Sequence, residues 1–209
     1  MAERKHGAAP PGTDSEIRHE TWDGRDLSGE AFTRVAFIDV DLTETTNNGA
    51  VFDECTFRDV EFNASTHTDA AFLNCTFTRS SFFDATFRRC KLTGSMFDRC
   101  RFGILKVDAG NWSFVGLPGA DLRGATFDGV RMREADLTGA RLTGATLRRV
   151  DLSGAWLHQA KLDGCDLRGS DLSSLDPLTV DLDNAVIDVD QAVVIATNLG
   201  LDVRPVEEP

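Results

Sequence analysis

Large apolar residues recur along this chain at every fifth position, from Trp22 through Leu27, Phe32 and Phe37 to Leu182 and Ile187. The comb holds 34 positions without slipping phase, and only Asn47, His67 and Pro177 among them are not large and apolar. An amphipathic helix needs a period of 3.6 and a half-buried strand a period of 2, so neither accounts for a strict five. A short fixed period sustained over most of a chain marks a repeat architecture. The position two before the centre is mostly small, as at Ala70, Ala85, Ala120, Ala125 and Ala135. Residues two apart on extended backbone share a face, so each unit turns one large and one small residue inward. The position two after the centre is often glycine, as at Gly124, Gly129, Gly139 and Gly144, and supplies a corner able to take φ > 0.

A unit of small residue, polar residue, large apolar residue, polar residue and corner resembles the pentapeptide-repeat family. The resemblance implies an all-β solenoid, a right-handed quadrilateral β-helix with four units in each coil. Residues 1–20 carry Ala-Ala-Pro-Pro-Gly and no comb, and are expected to form a disordered N-terminal tail. Residues 21–187 are the expected β-helix, and 188–209 a capping and dimerisation helix with a short tail.

Within the comb, 12 of the 14 phenylalanines sit at centres, mostly before Phe102, and leucine takes over from Leu117. Stacked rings are expected to fill the first part of the interior. Asn47 and His67 lie 20 residues apart, on one side of adjacent coils; a local bulge is expected there, with a binding feature as the alternative. The unbroken phase predicts no long loop. Phe83, Phe114 and Trp156 are off-centre aromatics, and Trp156 should point outward, either as an isolated surface residue or as a partner anchor.

After Ile187 the period changes. Asp188 with Gln191 fits a capping box and Gly200 a C-terminal stop, which predicts a helix. Val189, Ala192, Val193, Ala196 and Leu199 form one stripe, widened by Val194 and Ile195. One side should cover the open end of the coil, whose strand edges would otherwise be bare. The other is left for a second copy of the chain, with Val189, Ala192, Val193, Ile195, Ala196 and Leu199 as the expected homodimer interface.

Net charge is −12 and pI about 4.7, which argues against ordinary nucleic-acid binding. The sequence has no signal-peptide pattern and no run of 18 apolar residues, so a cytoplasmic protein with no membrane partner is expected. Cys55, Cys75, Cys90, Cys100 and Cys165 all occupy the small inward position, which makes them core residues rather than ligands or nucleophiles. Free thiols are expected, a bridge between Cys55 and Cys75 being the less favoured alternative. Their spacing fits no zinc pattern, and His6, His19, His67 and His158 are scattered; no metal, cofactor or catalytic site is expected.

Charge is uneven: residues 14–69 carry −10, residues 70–168 carry +5 and residues 169–209 carry −8. On the side with centres 87, 107, 147 and 167, Arg88, Arg89, Lys106, Arg148, Arg149 and Arg168 suggest a basic flank. The terminal Ile187-Asp188-Val189-Asp190-Gln191-Ala192-Val193 with Leu199-Gly200-Leu201, and the stretch Cys90 to Phe97, resemble the MfpA and Qnr type of pentapeptide protein. That resemblance implies a protein that imitates duplex DNA, inhibits DNA gyrase, a type II topoisomerase, and protects it from quinolone-like poisons. The expected gyrase-facing acids are Asp171, Asp176, Asp181, Asp183, Asp188 and Asp190. The alternative is a scaffold for another protein partner.

Overall fold

A computed structural model of the protein describes residues 9–205. The chain winds as a right-handed, four-sided parallel β-helix and ends in one α-helix. Each step of 20 residues returns to the same side. Six strands stack in register on one side, from β1 (Thr46–Asn48) through β2 (Thr66–Thr68), β3 (Thr86–Arg88), β4 (Lys106–Asp108) and β5 (Thr126–Asp128) to β6 (Thr146–Arg148). Isolated bridges carry this side on, Asp26 to Thr46 at one end and Thr146 to Asp166 to Val186 at the other. A second side stacks five strands, starting at Ser15–Arg18 against Val35–Ile38, and a third stacks three, Ala31–Thr33, Val51–Asp53 and Ala71–Leu73. The fourth side is made of bridges alone, such as Thr21 to Asp41 to Glu61 to Ser81.

Threonine or aspartate before the centre biases a unit towards strand or turn. Thr there gives extended backbone in seven of eight units, Thr21 being the exception. β-branching favours the extended state. Asp there gives a turn, because among the described residues eight aspartates accept the N–H two residues on, as Asp41 does from Thr43 at 2.9 Å and Asp136 from Thr138 at 3.0 Å. The tight turn closes when the N–H three residues after the centre donates to the centre's carbonyl, as Ala145 to Leu142 at 2.8 Å. The corner after it is left-handed. Glycine takes it at Gly124 and Gly144, but Arg, Glu and Asp take it elsewhere at φ near 50–60°, as at Arg79 and Glu134. Such residues cost about 1–2 kcal/mol each in that region, which the stacked ladders offset.

The interior follows the comb. Phe52 stacks on Phe72 at 4.6 Å, Phe57 on Phe77 at 4.7 Å and Phe62 on Phe82 at 4.8 Å, with rings of adjacent sides meeting edge to face. Trp112 packs against Phe97 and Phe87 on one side and Phe127 on the other, and leucines fill most of the rest. The five cysteines are free; four are buried and Cys100 half-buried, and burial pushes the Cys90 thiol up to about 11.

Two expectations need correction. The coil starts before Trp22: Ser15–Arg18 pairs with Val35–Ile38, and Ile17 packs against the core one unit ahead of the comb. Residues 15–20 are therefore not tail, and the first eight residues of that expected tail lie outside the described residues. Asn47 and His67 make no bulge. They pair in register with both side chains buried, Asn47 Nδ2 lying 3.3 Å from His67 Nδ1 and Ser65 Oγ 3.0 Å from Nε2. Mutual hydrogen bonding lets the two polar groups occupy apolar positions, and His67 stacks on Phe87 at 4.7 Å as a phenylalanine would. Burial lowers its pKa to about 3, so it is neutral. The irregularity sits instead at Pro177. There the turn slips by one residue, Thr179 donating to Asp176, and Gln159 donates to Thr179 where the ladder elsewhere would use residue 178. Leu178 is thrown out to 82% exposure.

Candidate functional site: the acidic C-terminal end

Helix α1 (Val189–Asn198) starts as the sequence predicts. Asp188 accepts from the Gln191 N–H at 3.0 Å and the Gln191 side chain accepts from the Asp188 N–H at 2.9 Å. The face turned to the coil is polar at both ends. Gln191 Nε2 donates to the carbonyls of Leu167 and Ser170 at 2.6 and 2.7 Å, and Asn198 Nδ2 donates to that of Leu175 at 2.7 Å. Val194 and Ile195 pack on the core between them. The helix thus supplies donors to carbonyls at the coil end, that of Leu167 also accepting from the Ser170 N–H.

This placement corrects one expected interface residue. Ile195 is half-buried against the coil, because the i, i+3, i+4, i+7 face of Gln191, Val194, Ile195 and Asn198 is the inner one. Ala196 is also half-buried. Val189, Ala192, Val193 and Leu199 are exposed, Val189 to 81%. Leu178, Val186, Leu201 and Val203 in the same C-terminal stretch are exposed apolar residues too, and were not among the sequence-derived candidates. Leu178 was hidden because only the slipped turn at Pro177 exposes it.

The six candidate acids are spread around the last coil rather than set in one row. Asp171, Asp176 and Asp181 precede centres on three successive sides, Asp183 lies at the following turn, and Asp188 and Asp190 open the helix. Several also have structural duties. Asp171 accepts from the Ser173 N–H at 2.9 Å and Asp176 from the Leu178 N–H at 3.0 Å. Asp188 caps the helix and also accepts from the Gly169 N–H at 2.9 Å; these backbone donors, Gln191 first, hold its carboxyl below the usual range. Asp190 sits in the first turn of the helix, where a negative charge suits the dipole. Asp181 approaches Lys161 only to 3.8 Å. The arrangement leaves an end-ring of carboxylates with few cations, since Arg204 is the sole Lys or Arg after residue 168 and it pairs with Asp202.

The flank that the sequence marks as basic is largely neutralised. Arg89 makes a two-point pair with Asp69 at 2.8 and 2.6 Å, Lys106 reaches Asp84 at 2.7 Å and Arg149 pairs with Asp128. Arg168 and Arg148 both hold Asp166, whose carboxyl is pushed far down by Arg168 first and Arg148 second. Of the six cations named for that flank, Arg88 alone has no ion pair among the described residues. Among the described residues no helix is long and apolar enough to cross a membrane, and no cluster of His, Cys, Asp and Glu could hold a metal ion.

A family model described as pentapeptide repeats, in 8 copies, matches residues 117–154 and 151–176. Among solved structures, a trypsin-treated form of QnrB1, a plasmid-mediated fluoroquinolone resistance protein, is 24% identical with a TM-score of 0.48, covering 93% of this chain and 99% of its own. HetL, a pentapeptide repeat protein involved in heterocyst differentiation regulation from the cyanobacterium Nostoc sp. strain PCC 7120, is 18% identical with a TM-score of 0.38 over 84% of each chain. Rfr23 from the cyanobacterium Cyanothece 51142 is 16% identical with a TM-score of 0.37, covering 84% of this chain and 88% of its own. No curated protein sequence matches.

Proposed function

We propose that this β-helical chain, whose residues 117–176 match the pentapeptide-repeat model, is a cytoplasmic, non-enzymatic imitator of duplex DNA. It binds DNA gyrase, inhibits it and shields it from quinolone-like poisons. The observation that carries this reading is the contrast in compensation. The flank's cations are matched by aspartates, whereas the C-terminal end carries carboxylates on several sides of a rigid coil with hardly a cation among them. Negative groups distributed around a stiff rod are what a groove built for phosphates recognises. The terminal sequence resemblance points to the same partner.

In this reading two copies join through the exposed outer face of α1, with Val189, Ala192, Val193 and Leu199 as anchors and Leu178, Leu201 and Val203 around them. Val193→Asp gives monomers in sedimentation; an unchanged dimer would remove the interface from this face. The decisive assay is gyrase supercoiling with purified protein. Asp176→Asn, Asp181→Asn and Asp183→Asn together abolish inhibition while the protein stays folded, because asparagine preserves the turn acceptor at 176. Arg148→Ala with Arg149→Ala leaves inhibition nearly intact. Arginines essential and aspartates dispensable is the result that ends the proposal. Binding also weakens steeply with salt, as expected of an encounter steered by charge.

A further inference from the structure

Away from that end, the side carrying Met96, Gly116, Asp136 and Trp156 on successive rungs holds a cleft of about 610 Å³. It exists because one rung lacks a side chain. A Cβ at residue 116 would lie 2.0 Å from the Met96 Cε, so the methionine end lies over the glycine and forms part of the floor. Gly116 is not left-handed, so space rather than backbone conformation calls for glycine here. Trp156, 43% exposed, stands at one end of the cleft, and Phe114 borders it from the neighbouring corner. The charged groups on its wall are Glu134, Asp136 and Arg133, and Ser153, whose hydroxyl donates to Asp151, lines it as well. Arg133 is held by Asp151 at 2.5 Å, which offsets its charge, and Asp136 spends one oxygen on the Thr138 N–H and keeps the other. The walls are therefore aromatic and thioether surface beside net negative charge.

We propose that this cleft is a binding site for a small organic cation, an ammonium group carried on an aromatic or aliphatic body. Its volume falls within the range of small-molecule pockets, roughly 300–1,000 Å³. An indole face beside carboxylates favours a weakly hydrated cation over a neutral or anionic ligand of the same shape. From Met96 to Trp156 the rungs span about 14 Å at ~4.8 Å each, a bounded length that suits a small molecule rather than a long peptide. The site is independent of the gyrase proposal and uses none of its residues.

Phenyltrimethylammonium is the probe, with benzyl alcohol as the neutral aromatic control, both followed by tryptophan fluorescence. Trp112 is buried and Trp22 half-buried beneath Arg25, so Trp156 is the tryptophan this cleft exposes to a ligand. Saturable quenching by phenyltrimethylammonium is expected, lost in Trp156→Leu. Glu134→Gln combined with Asp136→Asn weakens the cation about two- to thirty-fold, the range of two exposed charge pairs, and leaves benzyl alcohol unchanged; the asparagine retains the acceptor for Thr138, so folding is preserved. Linear quenching, equal binding of cation and alcohol, or unchanged affinity in the charge-removed variant would each overturn the proposal.

Discussion

The two halves of the coil solve one geometrical problem with different chemistry. Up to Phe102 the centres are mostly phenylalanine, the residue before the centre is often threonine, and three of the four sides carry strands. From Leu117 on the centres are mostly leucine, aspartate often comes before them, and most sides are tight turns joined by single bridges. A flat ring spans the interior and meets its neighbours above, below and beside it, so the first half is held by contacts between coils. In the second half aspartate and glycine fix each corner locally. Side-chain stacking and turn chemistry are thus interchangeable routes to the same four-sided cross-section, and the family model matches only within the second.

The comparison is broken most sharply in the core. Phe57→Ala removes a ring stacked on Phe37 at 4.8 Å and on Phe77 at 4.7 Å, and should cost about 3–5 kcal/mol. Leu142→Ala should cost less by about 1 kcal/mol, since ring pairs add to area burial; equal losses in denaturant titration would make the stacks mere filler. Acid probes a buried group of the first half. His67 is neutral in the fold with a pKa near 3, against about 6.5 when unfolded. The unfolded chain therefore binds the extra proton, and stability falls as pH drops below about 6.5 and keeps falling towards 3. His67→Phe with Asn47→Leu should flatten that part of the pH profile relative to the parent; identical profiles would show that the aspartates govern it.

Next in size is the helix cap. Gln191→Ala leaves the Leu167 and Ser170 carbonyls without its amide, costing about 1–3 kcal/mol in thermal melts, and protection from hydrogen exchange should drop first in the last coil. The smallest effect tests the turns. Asp41→Ala frees the Thr43 N–H and should cost about 0.5–1.5 kcal/mol, whereas Asp41→Asn should be near neutral. Equal losses for the two would mean that the carboxylate is valued for its charge.

Much of this was legible in the residues. The comb placed the core, and the small inward positions and left-handed corners followed from its period. The start of the coil was obscured because Glu20 and Arg25 occupy positions that are small elsewhere, which masked Ile17. The inner face of α1 was misjudged because Gln191 and Asn198 are polar, and hydrophobic periodicity cannot register side chains that bind carbonyls at a coil end. Asn47 and His67 were visible as exceptions, but only their pairing across coils explains why neither forces a bulge. The acids were visible as charge; their division between turn-making, capping and bare display required the hydrogen bonds.

The 20-residue return also sets a rule for how such a chain can change length. Removing a whole coil shortens the rod by one rung spacing, ~4.8 Å, and leaves every later residue facing as before. Removing a single five-residue unit keeps the comb intact yet rotates everything beyond it by a quarter turn. The acidic end and the outer face of α1 would then point to a new quarter of the compass relative to the cleft over Gly116, with the comb still in phase. In this molecule azimuth is written in units of five residues and reach in units of twenty.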